Sequence, residues 1–133
     1  MKKNAAVLLA LLVLLASATS CRKNYNDYRN LVYGTWRLVS VDGITDTASF
    51  VQDTLAFTSG TAVTLTRQGA TYSGQYSFYT NILTSYFSAN IDLYQEWLVE
   101  KMQDSFMRAV VQVRQIGETD FPTGNILEYV KLP

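Results

Sequence analysis

Residues 62–79 read AVTLTRQGATYSGQYSFY, and the alternation in this stretch decides the fold. Val63 and Leu65 alternate with Thr64 and Thr66. After Gln68-Gly69, Tyr72, Gly74, Tyr76 and Phe78 alternate with Ser73, Gln75 and Ser77. A period of two belongs to strands with one buried face, and a short glycine-containing break between two such runs belongs to a hairpin. The stretch therefore predicts an antiparallel pair with an aromatic inner face.

The same pattern extends in both directions. Strands are expected near Thr35 to Val41, Thr54 to Phe57, Ala62 to Arg67, Thr71 to Tyr79, Leu83 to Asn90, Leu93 to Met102, Ser105 to Gln115 and Asn125 to Leu132. Between them lie Asp42-Gly43, Ser59-Gly60, Gln68-Gly69, Thr80-Asn81, Gln103-Asp104 and Pro122-Thr123-Gly124, all with turn chemistry. Leu93 to Phe106 has some helical composition, with Glu96 and Glu100 four apart, but its short connections to neighbouring strands favour a strand. Eight short strands without crossover helices predict an all-β fold, an eight-stranded antiparallel up-and-down barrel whose closure removes exposed edges.

Such a barrel is either filled by side chains or holds one small ligand. The inward set is read as Trp36 and Leu38, Leu55 and Phe57, Val63 and Leu65, the Tyr72 to Phe78 face, Phe87, and Trp97 with Val99. On the seventh strand alternation sends Met107, Ala109, Val111 and Val113 inward and leaves Arg108 and Arg114 outside. A bulge at Gln103-Asp104 would reverse that strand and bring Arg108 indoors.

Upstream of the strands, residues 1–21 read MKKNAAVLLALLVLLASATSC: two lysines, an apolar stretch, then small residues before a cysteine. This is the plan of a secretory signal. The 14 residues from Ala5 to Ala18 fall short of the roughly 20 that a spanning helix needs. Ala18-Thr19-Ser20-Cys21 resembles a bacterial lipobox, with Ala18 in place of the usual leucine. That resemblance implies cleavage after residue 20 and acylation of Cys21, the single cysteine of the chain. Without it, Cys21 follows an ordinary cleaved signal. Arg22 to Asn30 is polar and aperiodic, so 21–30 is expected to be a tether and 31–133 the barrel domain. By resemblance to bacterial lipoproteins, the residues after Cys21 favour an outer-membrane lipoprotein facing the periplasm.

The composition narrows the function classes. The 133 residues carry 11 basic and 11 acidic groups and no histidine. Removal of residues 1–20 takes away Lys2 and Lys3, leaving nine basic against eleven acidic side chains. A slightly acidic domain does not suit nucleic acid, whose phosphates call for a basic surplus. Without histidine there is no imidazole base and no histidine-bearing zinc site. Glu96 and Glu100, if on one strand face, stand roughly 13 Å apart, too far for a glycosidase pair. Asp92, Asp104 and Asp120 fall in turns, and Asp42, Asp46 and Asp53 lie in a long loop without calcium-loop spacing. No catalytic residue, metal site or cofactor is indicated.

Gly34-Thr35-Trp36, within VYGTWRLVSVDG, resembles the start of a lipocalin-like domain, whose first strand opens with Gly-x-Trp. The segments Leu55 to Gly60, Tyr72 to Tyr76 and Trp97 to Val99 follow in the order found in lipocalin-like lipoproteins of Bacteroidota. The resemblance implies that Trp36 closes one barrel end and stacks against a late-strand arginine, for which Arg108 or Arg114 is the candidate. The last strand itself offers Lys131. Thr119-Asp120-Phe121 is displaced from the comparable lipocalin turn and reads as an ordinary polar turn. The resemblance also implies a small apolar ligand in a lumen lined by Trp36, Tyr72, Tyr76, Phe78, Phe87 and Trp97. The alternative is that these side chains fill the lumen and the chain is a structural or protein-interaction module. The segment from Gly43 to Asp53 would be a lid in the first case; in the second, its Phe50 and Val51 would be an exposed contact.

Overall fold

The hairpin of residues 62–79 forms in the computed structural model, which describes residues 26–58, 60–87, 93–113 and 123–133. In chain order the elements are a helix α1 (Asn26–Leu31), β1 (Gly34–Val41), a 3₁₀ turn (Thr47–Ser49), β2 (Asp53–Phe57), β3 (Ala62–Arg67), β4 (Ala70–Tyr79), β5 (Ile82–Phe87), β6 (Leu93–Met102), β7 (Phe106–Val113) and β8 (Ile126–Lys131). Each strand pairs antiparallel with the next, and β8 returns to β1, so the sheet is a closed up-and-down barrel. The proposed signal, Cys21, Ser59, Arg114 and Thr119 to Phe121 lie outside the described residues.

Among the described residues, turns form where their sequence predicts, while Pro122 joins Ser59 outside them. Gln68-Gly69 (φ 51° and 80°) and Asp42-Gly43 (φ 51° and 81°) both take the left-handed conformations of a tight hairpin turn, whose twist matches that of the flanking strands. Leu93–Met102 is a strand, paired with β5 and β7. Its alternation buries Leu93, Gln95, Trp97 and Val99, and a register shift between Val99 and Lys101 then turns Met102 inward. The irregularity thus lies before Gln103-Asp104, and β7 keeps Met107, Ala109 and Val111 in the core with Arg108 exposed.

Gly74 has no side chain because β5 occupies the space. A Cβ there would lie 2.5 Å from Cδ1 of Phe87 and against the Tyr86 carbonyl. Gly74→Ala is expected to cost about 3 kcal/mol through overpacking, read as a lower urea midpoint, whereas Ser73→Ala on the outer face should stay within about 0.5 kcal/mol.

The helix α1 is the element with no precursor in the sequence reading, which places a tether there. Tyr28, Leu31 and Val32 stand at i, i+3 and i+4, one face of a helical turn, and all three join the core. Because strands alternate in direction, the end of the barrel at Gly34 also holds the turns after β2, β4 and β6 and the end of β8. The helix lies across this end, tied to three strands. Trp36 Nε1 donates to the Val32 carbonyl at 2.7 Å, Lys131 Nζ to the Leu31 carbonyl at 2.8 Å, and an Arg29 guanidinium nitrogen to the Phe78 carbonyl at 2.9 Å. The first two bonds satisfy carbonyls at the helix C-terminus that have no partner within the helix.

Candidate functional site

The lumen is the first place to look for a site. Its apolar layer runs from Trp36 at the closed end to Phe87 and Leu93, where β5 ends and β6 begins at the mouth: these three with Leu38, Leu55, Leu65, Leu83, Trp97, Met107, Leu127 and Tyr129 all have exposures below 2%. A surface out of reach of water is out of reach from within as well as from outside, so these side chains border no water-sized void. Ring contacts bind the layer together: Trp97 and Tyr129 lie 5.5 Å apart, and Phe57 and Tyr76 meet edge to face at 4.9 Å.

All six residues expected to line the lumen belong to the core or pack against it. Trp36, Phe87 and Trp97 are fully enclosed; Tyr76 and Phe78 each keep 7% of their surface, and Tyr72 is half-buried. Arg108 is not the partner of Trp36. It projects from the outer face toward Glu128, 3.7 Å away, because β7 buries its uniformly apolar side. The cation over the Trp36 ring is Lys131, its Nζ 4.8 Å from the ring centroid.

Toward the opposite end polar side chains interrupt this apolar layer. Asp53, expected in a loop, opens β2 and is 1% exposed. Arg67 grips both of its oxygens, Nε to Oδ1 and Nη2 to Oδ2, each at 2.7 Å. Ser85 donates to Gln95 Oε1 at 3.3 Å across the β5–β6 pair. Two buried hydroxyls in the described residues, Ser40 Oγ and Tyr129 Oη, have no protein hydrogen-bond partner. Complete burial pushes the Tyr129 phenol well above its ordinary range, with the Asp53 carboxylate adding to the shift and Arg67 opposing it.

The sign of the pH effect follows. Below about pH 10 the phenol is neutral folded and unfolded; above it the unfolded chain loses the proton first, so stability falls as pH rises. Tyr129→Phe is expected to leave stability at pH 7 unchanged or raise it by up to about 1 kcal/mol, and to flatten the alkaline loss in urea titrations.

The remaining aspartates of the expected loop are also structural. Asp42 accepts from the Ile126 amide at 2.7 Å and from Asn125 at 2.6 Å, and Asp46 caps the 3₁₀ turn. Phe50 and Val51 are half-buried, with Phe50 against the core, so the exposed apolar side chain of this segment is Ile44, with Ile126 nearby on the strand joined to it by the Asp42 amide. Glu96 accepts from the Tyr94 hydroxyl at 3.1 Å, while Glu100 is exposed at the register shift. Among the described residues no group of three or more acidic, cysteine or histidine side chains converges as a metal site.

A cleft of about 310 Å³ opens beside the closed end, where β4 runs on past the start of β3. Its lining includes Arg29, Tyr33, Thr61, Tyr76, Ser77 and Phe78. The Tyr76 phenol is pushed up to about 12, first by burial and then by its hydrogen bond with Tyr33. Arg29 and Tyr33 escape the sequence reading because α1 does; the Tyr28, Leu31, Val32 spacing was the available signal. No protein-family model, curated protein or solved structure matches the chain, so a functional reading rests on this geometry and on the residues themselves.

Proposed function

We propose that this chain is a lipid-anchored, lipocalin-like protein of the cell envelope, facing the periplasm from the outer membrane. Its filled barrel serves as a rigid scaffold for contact with a partner protein and has no catalytic role. The observation that carries this reading is the enclosed lumen: Trp36, Phe87 and Trp97, expected to line a ligand cavity, meet side chains on every side. A small apolar ligand in that layer would have to displace core side chains whose burial is worth about 1.5–3 kcal/mol each. The signal-like residues 1–20 and the lipobox-like Cys21 support the envelope assignment.

The contact surface in this reading is the Asp42 to Gln52 segment with its exposed Ile44, beside a shallow depression lined by Phe50, Val51 and Gln68. Rigid barrel, variable loop is the usual division of labour between scaffold and recognition. The reading is tested by native mass spectrometry of the protein purified from its own membrane. The mass of the acylated polypeptide alone is expected. A stoichiometric small molecule retained by the chain and lost on Trp97→Ala would restore the ligand-carrier reading. Membrane fractionation tests the anchor: Cys21→Ser should move the chain to the soluble fraction, and unchanged membrane association would refute acylation.

A further inference from the structure

We infer that the closed end of the barrel is a seat on the lipid bilayer, with Tyr33 and Tyr79 in the headgroup layer and Arg29 directed to lipid phosphate. This inference rests on the anchored reading and adds an orientation to it. Three observations converge on that end. The helix α1 lies there, and five residue steps separate its first residue from Cys21, at most about 18 Å of extended chain. An acylated Cys21 therefore holds this end, and not the opposite one, close to the membrane.

Two of the three exposed aromatic side chains among the described residues are also there, the third, Tyr86, standing on the outer wall of β5. Tyr79 is 78% exposed at the end of β4 and Tyr33 41% exposed just after α1. The exposed large aliphatic residues, Ile44 and Ile126, lie at the far end. Tyrosine, with an apolar ring and a polar tip, is the residue type that settles at a membrane interface. Arg29 supplies the charge. One guanidinium nitrogen donates to the Phe78 carbonyl, which fixes the head at the rim of the cleft, and no carboxylate pairs with it among the described residues. Its other N–H groups match the fork geometry of a phosphate. Seated this way, the barrel turns Ile44 and the depression beside it away from the bilayer.

The test separates this seat from the anchor. All eight strands and α1 close on one another within residues 26–133, so the chain from residue 22, with a hexahistidine extension in place of Cys21, carries the whole described fold. It is held on vesicles of phosphatidylethanolamine and phosphatidylglycerol containing a nickel-chelating lipid and a headgroup spin-labelled lipid. A fluorophore is placed on Thr58→Cys at the closed end or Thr71→Cys at the mouth end. Quenching at 58 is expected to exceed that at 71 roughly threefold, and Tyr79→Ser or Tyr33→Ser/Tyr79→Ser to remove most of the difference. Equal quenching at the two sites overturns the seat. So does a difference that survives both variants, because the tether alone would then set the orientation. Native acylation plays no part in this readout, so a failure of the anchored reading appears only in the Cys21→Ser fractionation.

Discussion

Trp36→Ala is expected to destabilise the barrel by about 4 kcal/mol, a large share of the 5–15 kcal/mol typical of a domain, with the urea midpoint as the readout. The side chain is fully buried where β1 begins and meets three different parts of the molecule. Its ring fills the closed-end layer, its Nε1 ties β1 to the helix through the Val32 carbonyl, and its face lies under the Lys131 ammonium. Trp36→Phe keeps most of the volume and loses the hydrogen bond, so about 1–2 kcal/mol of the loss should remain. The two candidate cations are separated by the same measurement. Lys131→Met removes the contact with the ring and the bond to the Leu31 carbonyl and should cost about 1–2 kcal/mol. Arg108→Gln removes an exposed pair with Glu128 and should stay within about 0.5 kcal/mol. The reverse order would mean that Arg108, not Lys131, supports the closure.

The second large effect is expected at the opposite end. Asp53→Ala should cost about 3–5 kcal/mol, because it leaves the Arg67 guanidinium facing the site of a lost carboxylate that water scarcely reaches. Asp53→Ala/Arg67→Met removes both charges and is expected to recover about half of that loss. A double variant no more stable than the single one would show that the charge left behind is not the source of the cost. Circular dichroism on the same samples distinguishes loss of stability from loss of the barrel.

How much was legible before folding can be followed residue by residue. The strand from Leu93 to Met102 was readable although its composition suits a helix, because its neighbours are strands joined by connections too short for a change of layer. The inward face of β7 was readable because Met107, Ala109 and Val111 are uniformly apolar, a local property. Asp53 was misplaced. An aspartate after a run of polar loop residues reads as more loop, and only the pairing with Arg67, fourteen residues away on the adjacent strand, makes it a buried strand residue. The helix α1 was hidden for a related reason: six residues form a weak periodic signal, and its stability comes from docking onto strands distant in the chain.

Alternation and turn residues alone were enough to specify eight antiparallel strands and the inward side of most of them, because the pleat has a period of two and each tight turn dictates its own backbone angles. They also placed six aromatic residues inside without revealing what they do there. Whether an eight-stranded barrel is hollow or solid depends on how side chains from opposite walls meet, and those walls are remote in sequence. Folding brings Trp97 against Tyr129 and Phe87 over Gly74, and it seats α1 across the end closed by Trp36 and Lys131. The interior is solid through that layer because tertiary contact fills it, and the reading of this protein moves from its lumen to its surface.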